Sequence, residues 1–470
     1  MRNLKGVVGC VFISGMLTGC ASVQEEYNEQ QHESAAVDTT LVQAQDIADS
    51  MEAEPYVLKE SGSYSLPALL SLGLARNPQT RIAWWQGQQA LAQAKRAEAP
   101  YFPTIVGNIQ ANHNQTGAIL NQPTTKVDNW GPGLNVNYRL FQFGADHAGA
   151  ESAAYALSAA NYSENFTLQT VVFNIQSKYY QLASAIAKVN ARQSSLQDAI
   201  ASYQAAEKRM ANGLAPKQDV LLAKADQIEA EYELQSAEGD RGRYRAELAT
   251  VVGLSASSKL DIDITFGDPG DLTEEVEKLM DSALEKRADI LAQEELLHAA
   301  EWAHLKSERE RLPAVNLVGN LNTLRYRHDS NWQHNYGLGV NLTWTLFDGF
   351  DKQYKELEHY ASMKVKLFEL HQKKLTVLQD VCGEFHAFQA AKKLLASSTA
   401  LEQAAKESLK AVRIGYSAGL NSLLDLLSAQ KTLSNARLKR ISAQSDLAIH
   451  WAKLAYVAGQ IDVDKYQYGK

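Results

Sequence analysis

Four stretches of the chain alternate apolar and polar residues with period two. In the last of them Leu338, Val340, Leu342, Trp344 and Leu346 are interleaved with Gly339, Asn341, Thr343 and Thr345. In the second, Leu134, Val136, Tyr138 and Leu140 alternate with Asn135, Asn137 and Arg139. The third sets Val315, Leu317 and Leu321 against Asn316, Asn320 and Asn322, and the first sets Ile105 and Ile109 against Asn108, Gln110 and Asn112. Successive side chains of a strand point to opposite faces, so each stretch predicts a strand with one apolar and one polar face. The predicted strands cover about 104–114, 130–141, 314–326 and 335–347. That is the length a tilted strand needs to cross a bilayer. Aromatic residues that favour the membrane interface stand near the strand ends: Tyr101, Phe102, Trp130, Phe141, Tyr326, Trp332, Tyr336 and Phe347. A soluble, half-buried sheet has the same period. Polar faces rich in asparagine and glycine favour a wet lumen instead.

Between the strand pairs the period changes. Leu168, Val171, Ile175, Tyr179, Leu182, Ile186 and Val189 follow a three-four spacing, as do Leu378, Val381, Phe385 and Phe388. This is the seam of a coiled coil or helical bundle. Residues 150–212 contain neither glycine nor proline, and no proline follows Pro313. A helix over 144–211 is roughly 100 Å long at 1.5 Å per residue, which suits an elongated tube better than a globular core. Gly213 and Gly419 punctuate the ends of these helices, and a second helix returns after each.

The chain repeats itself. Ala99-Pro100-Tyr101-Phe102-Pro103 is echoed by Glu310-Arg311-Leu312-Pro313, and Gly133-Leu134-Asn135-Val136-Asn137 by Gly339-Val340-Asn341-Leu342-Thr343. The offsets 339 − 133, 419 − 213 and 459 − 253 are all 206. A fixed offset argues for a duplicated structural unit. The organisation predicted is a first repeat over 63–253 with a helical hairpin at about 144–252, a linker over 254–275, a second repeat over 276–459 with a hairpin at about 350–458, and a tail over 460–470. The fold class is mostly α with membrane β: a duplicated helix–strand–strand–helix unit.

The N-terminus adds a destination. Arg2 and Lys5 precede an uncharged apolar run from Gly6 to Met16 and small residues at Thr18, Gly19 and Cys20, the pattern of a secretory signal over 1–19. Leu17-Thr18-Gly19-Cys20 looks like a lipobox, which would make Cys20 a lipidated first residue; Ala21 after it favours the outer membrane in that pattern. Residues 20–62 read as an acidic tether, with Glu25, Glu26, Glu29, Glu33, Asp38, Asp46 and Asp49. Without the signal the charge is 44 − 54 = −10, so no basic footprint for a nucleic-acid partner exists. Cys382 is the one cysteine left besides Cys20 and Cys10, so no intrachain disulfide is expected. There is no His-Glu-x-x-His, phosphate-cradling glycine loop or Gly-x-Ser-x-Gly. His298 and His304 are six apart, off the spacing of helical metal ligands, and His328 and His334 fall in a predicted surface loop. No catalytic residue, metal or cofactor is expected beyond the covalent lipid.

Four strands cannot close a barrel, and open sheet edges are not tolerated in lipid because their backbone groups would go unpaired. Several chains must share one barrel: two copies give eight strands and three give twelve, and both counts meet this need.

The duplicated plan, with tip motifs Arg209-Met210-Ala211-Asn212-Gly213-Leu214 and Arg413-Ile414-Gly415-Tyr416-Ser417-Ala418-Gly419-Leu420, resembles the TolC/OprM family of outer-membrane factors over about 63–459. The lipobox fits the OprM-like branch. The resemblance implies a homotrimer with a 12-stranded outer-membrane β-barrel continuous with a periplasmic α-helical barrel. It implies a periplasmic adaptor (membrane fusion protein) and an inner-membrane transporter as partners, with export either as drug or small-molecule efflux or as type I protein secretion. It also implies a periplasmic gate at Asp425, with Asp219 at the same place in the first repeat (425 − 419 and 219 − 213 are both 6). A like-charged ring there attracts cations and raises the carboxylate pKa; a helix-start capping role is the competing reading. Ser428 stands where some members carry a second acid. Tyr416 matches a tyrosine that holds the tips closed. Gln444 occupies the position of its usual arginine partner, leaving Arg437 and Arg440 as replacements. Gly213, Leu214, Gly419, Leu420 and Asn421 would form the adaptor-docking tips. The reading from another class is a coiled-coil lipoprotein that spaces envelope layers.

Overall fold

A computed structural model describes residues 63–117, 125–264, 266, 275–327, 329 and 331–463. The signal, Cys20, the tether, most of the linker's second half and residues 464–470 lie outside the described residues.

Helix α1 (Leu66–Arg76) stops where Pro78 forces Asn77 into extended backbone. Asn77 then accepts from the Gln79 N–H (2.7 Å), starting α2 (Pro78–Ala97), and donates to the Val251 carbonyl (2.6 Å). A short 3-10 turn leads to β1 (Thr104–Thr116), which pairs antiparallel with β2 (Thr125–Phe141). The chain enters α3 (Ala145–Ala211) and returns along α4 (Lys217–Val252). The second repeat follows the same course: α5 (Val276–Lys286), α6 (Ala288–Arg309), β3 (Ala314–Tyr326), β4 (Trp332–Thr343), α7 (Asp351–Ser417) and α8 (Leu423–Val457). The two very long helices each span 67 residues, about 100 Å.

All four strands form one antiparallel meander, β1-β2-β3-β4, in which β2 and β3 join the repeats. Four strand boundaries differ from the sequence expectation. β1 and β2 run further toward their shared loop, to Thr116 and from Thr125. β4 begins three residues earlier and ends at Thr343, so Trp344 and Leu346 lie beyond it despite their alternation. Thr343 pairs with Ala314, the first residue of β3, and Pro313 before it has no N–H to extend the ladder. His334 is therefore inside β4, where its Nδ1 lies 3.1 Å from Thr323 Oγ1, and not in a loop; His328 lies outside the described residues.

The 206-residue offset holds only from the second strand of each hairpin onward (343 − 137 = 206 in β2 and β4). From α1 and α5 through β1 and β3 it is 210 (276 − 66, 288 − 78 and 314 − 104), falling to 351 − 145 = 206 at α3 and α7. The β1–β2 connection is longer, which absorbs the difference. Each strand-to-helix junction uses two consecutive left-handed residues: Phe143 and Gly144 in the first repeat, Gly349 and Phe350 in the second. Glycine and phenylalanine have exchanged places, so one phenylalanine per repeat is held in a conformation that bulky residues rarely adopt.

The helices pack side by side in two tiers. Nearer the sheet the order is α2–α3–α6–α7; farther away it is α4–α3–α8–α7. α3 and α7 run through both tiers. Leu370, Val377, Val381 and Phe388 of α7 pack with Leu447, Leu454 and Val457 of α8 and with Leu279, Ala283 and Ile290 of α5 and α6. At the far end Ala206, Val220 and Ala223 of the first hairpin pack with Ala405, Leu409, Leu423 and Leu426 of the second. The α3–α8 seam between the hairpins is polar: Ser195 bonds Ser434 (3.0 Å), and Gln430 donates to Ser202 (3.0 Å).

Candidate functional site

The hairpin tips are built alike. Where α3 ends, Gly213 turns left-handed; its N–H bonds the Met210 carbonyl (2.9 Å) and Leu214 N–H bonds the Arg209 carbonyl (2.8 Å). Where α7 ends, Gly419 N–H bonds Tyr416 O (3.1 Å) and Leu420 N–H bonds Gly415 O (2.8 Å). This helix-ending motif requires positive φ at the glycine and usually tucks the following apolar residue against the last turn. Here Leu214 and Leu420 instead stay 69% and 84% exposed. Both tips therefore present an uncovered leucine. Asn421 behaves differently: it is half-buried, and its carboxamide occupies the space a Cβ on Gly415 would need.

The helices that return from the tips start differently. Ser422 caps α8 through a reciprocal pair: its hydroxyl accepts from Asp425 N–H (3.1 Å), and the Asp425 carboxylate accepts from Ser422 N–H (2.9 Å) and Oγ–H (2.7 Å). These Ser422 bonds hold the exposed carboxyl below its ordinary range. Within one chain, Asp425 is thus a capping residue with a lowered pKa, opposite in direction to the effect of a like-charged ring. Asp219 lies in the first turn of α4, half-buried, after an extended Pro216 that supplies no side-chain cap.

Tyr416 has an arginine partner, although neither of the two expected. Arg437 and Arg440 both engage Glu402, and Arg440 also donates to Gln444. Arg209 from the first tip lies over the Tyr416 ring at 4.8 Å and donates to its carbonyl (3.1 Å). The Tyr416 hydroxyl and Arg209 Nε are buried without partners among the described residues. Arg209 belonged to the quoted tip motif, but its role needs both repeats side by side, which no spacing within one repeat reveals. Arg413 reaches Asp198 (3.1 Å) and Lys431 reaches Glu229 (2.9 Å), so further ion pairs join the hairpins near the tips.

At the other end, the register sorts the sheet into two faces. Ile105, Leu134, Val136, Leu317, Leu321, Leu338, Val340 and Leu342 share one face. The other carries Asn108, Asn112, Asn129, Asn135, Asn137, Asn316, Asn320, Asn322, Asn335 and Asn341. Both outer strands have an open edge, and the exposed apolar residues Ile109 on β1 and Tyr336 on β4 flank those edges. The helical tiers are open in the same sense. Trp85 on α2 and Tyr232 on α4 are exposed on one side, and Phe368, Leu394 and Leu401 on α7 at the other. Among the described residues no helix is long and apolar enough to cross a membrane, and no group of three or more His, Cys, Asp or Glu is placed to hold a metal. His298 pairs with Glu301 (3.1 Å) and His304 with Glu308 (3.5 Å) on the α6 surface.

Comparison with known proteins places this geometry. The profile of the family described as outer membrane efflux protein matches residues 69–254 and 279–460, one segment in each repeat. Protein CyaE of Bordetella pertussis is 24% identical over 406 residues, 83% of each chain. The alkaline protease secretion protein AprF of Pseudomonas aeruginosa is 23% identical over 173 residues, 36% of each. The crystal structure of the outer membrane protein VceC from Vibrio cholerae superposes with a TM-score of 0.74 at 22% identity, covering 84% of this chain and 96% of that one. The match includes both the sheet and the stacked helices, and so it is a match of fold.

Proposed function

The chain belongs to the outer membrane efflux protein family, and on that premise we propose that three copies form the outer-membrane duct of a tripartite export system. The export channel itself follows from the family. The assembly, the partners and the anchor are our reading.

The observation that carries the assembly is the pair of open edges. β1, α2 and α4 lie on one side of the protomer, and β4 and α7 on the other. Setting β4 of one copy beside β1 of the next pairs backbone groups that lipid would otherwise leave unsatisfied. The same step covers the exposed apolar residues of α7 with those of α2 and α4. This contact is head-to-tail, so it closes only as a ring. Three copies supply twelve strands around one lumen, with the asparagine face inward and the aliphatic face toward lipid. The helices continue the lumen into the periplasm. Cargo crosses passively, and the free energy enters at an inner-membrane transporter. Cys20 carries the lipid that anchors each N-terminus. Asp425 and Asp219 stand near the closed end, and Arg209 stacked on Tyr416 joins the two hairpins there.

A periplasmic adaptor docks at the tips, where Leu214 and Leu420 are uncovered. Small-molecule efflux is the first reading of the cargo. Polypeptide secretion is the second, favoured by the name of the AprF relative, which states export of a protease. The test replaces Leu420 with a photo-crosslinking amino acid in living cells and identifies the captured protein by mass spectrometry. Capture of an adaptor supports the reading, and that adaptor's pump tells efflux from secretion. Capture only of cell-wall proteins moves the chain to the envelope-spacer class.

A further inference from the structure

The asparagine face has an internal construction that the channel reading does not require. Its positions form rows across the sheet: Asn108–Gly133–Asn322–Asn335 is one, and Val106–Asn135–Asn320–Gly337 is the next. The glycines in these rows are occupied space. A Cβ built on Gly133 falls 2.8 Å from Asn108 Oδ1 and nearer still to Asn322 Oδ1, and one on Gly337 falls 2.6 Å from Asn320 Oδ1. The carboxamides therefore lie down over their glycine neighbours along the wall instead of standing into the lumen. Asn135 donates to Asn108 (2.9 Å) and Asn112 to Asn129 (3.3 Å), which holds them there. Over four complete rows, 104–110, 131–137, 318–324 and 333–339, this face carries no charged and no aromatic side chain; Tyr326 stands beside Asn129 in the next row on the loop side. The nearest charge on this face is Arg139, in the row of Asn316 and Asn341 at the helix end of β2, where it is tied to Asp146 (2.6 Å).

We infer that over these rows the barrel lumen is a charge-neutral, flattened carboxamide wall that passes hydrated polar solutes of either sign alike. The inference rests on the trimeric-duct reading, because the asparagine face must be the lumen. The physical reason is direct. A ring of carboxylates or ammonium groups at close quarters sets an electrostatic barrier for one sign. A carboxamide presents a donor and an acceptor and no net charge. Without aromatic rings the wall also lacks the surfaces that hold apolar or cationic ligands.

The test uses full-length protein in cells with Cys382→Ser as background. Asn320→Cys and Asn335→Cys place a thiol on the asparagine face, and Leu338→Cys places one on the aliphatic face. Two methanethiosulfonates of similar size, one cationic and one anionic, are added outside, and each rate is divided by its rate with a small free thiol. The normalised rates of the two reagents at Asn320→Cys and at Asn335→Cys are expected to agree within about threefold, while Leu338→Cys stays silent. Adding Asn322→Asp beside Asn320→Cys should then favour the cation by about tenfold, which proves that the assay senses local charge. A tenfold preference without that substitution overturns the neutral wall but leaves the duct intact. Reaction at Leu338→Cys with silence at both asparagine positions, in protein that reacts fully once denatured, overturns the face assignment and the duct together.

Discussion

The two repeats share a backbone and differ in how they use charge. In the first, Lys178 of α3 meets Glu247 of α4 at 2.8 Å, both about a third exposed (32%). At the same place in the second, 384 − 178 = 453 − 247 = 206 residues on, Glu384 of α7 meets Lys453 of α8 at 2.8 Å with the signs reversed. Here the acid is 4% exposed, and His450 is added as a second partner at 2.5 Å. Higher up, neutral Asn77 donates to Val251 O in the first repeat. Its counterpart in the second is Arg287, which donates to Val457 O (3.3 Å) while held by Asp289 through two bonds of 2.9 and 2.8 Å. Lys373 reaches the same aspartate at 2.7 Å. The duplicated geometry fixes where a bond must cross between helices and leaves open which helix supplies which charge. The second repeat has buried its charges, and burial makes a pair expensive to break without making it strong to hold.

That asymmetry should appear most strongly at Asp289. Asp289→Ala leaves Arg287, 6% exposed, with only the distant Asp380 (4.0 Å) and the Val457 carbonyl as polar partners among the described residues, and should destabilise the protein by about 3–5 kcal/mol. Asn77→Ala removes only a cap and one bond and should cost about 1–2 kcal/mol. Thermal melts of the two variants in detergent compare them directly, and equal shifts would break the comparison.

Next in size is Glu384→Gln, expected to cost about 2 kcal/mol, against at most about 1 kcal/mol for Lys178→Met on the half-exposed pair. The variant has a pH signature as well. The bond to Glu384 raises His450 above its ordinary 6.5 despite the opposing effect of burial. Burial pushes Glu384 up, but the bonds from His450 and Lys453 prevail and lower it. A histidine whose folded pKa is raised stabilises fully below 6.5, and that contribution is lost as pH rises through the raised value. Wild-type stability should therefore fall over the region just above pH 6.5, and Glu384→Gln should flatten that fall. A slope that survives in the variant would assign it to another group.

At the tips, Ser422→Ala should cost about 1 kcal/mol, because it removes a reciprocal cap. Changing Pro216 to Ala, at a start without a side-chain cap, should cost less than about 0.5 kcal/mol. Hydrogen exchange at the first turns of α8 and α4 reads the difference. Smallest of all is the double exchange Lys178→Glu with Glu247→Lys, which copies the second repeat's polarity into the first. It should change stability by less than about 1 kcal/mol if the sign of the pair is free.

Much of this architecture is legible in the sequence, because the features concerned are periodic or terminal. The long helices follow from a proline-free three-four pattern, glycine-free over 150–212 in the first, and β3 begins and ends at the expected residues. The tips follow from Gly213 and Gly419, since few other residues adopt positive φ. Features that depend on a partner were not legible. The alternation of Trp344 and Leu346 predicts a longer β4, but a strand ends where its neighbour stops, at Ala314. Tyr416 carries no mark of Arg209, which comes from the other repeat. Glu384 looks like any helix-surface acid until α7 and α8 bury it. Asp425 fits a cap and a gate equally well in sequence, and the reciprocal bonds to Ser422 establish the cap within one chain.

In the proposed duct, the open edges on both sides of the protomer close against further copies. Native mass spectrometry of the full-length protein, extracted from membranes in mild detergent, tests this closure most directly. The expected particle holds three chains, each heavier than the mature polypeptide by the lipid on Cys20. A single chain that stays soluble once its lipid is cleaved would contradict the duct and favour the envelope spacer.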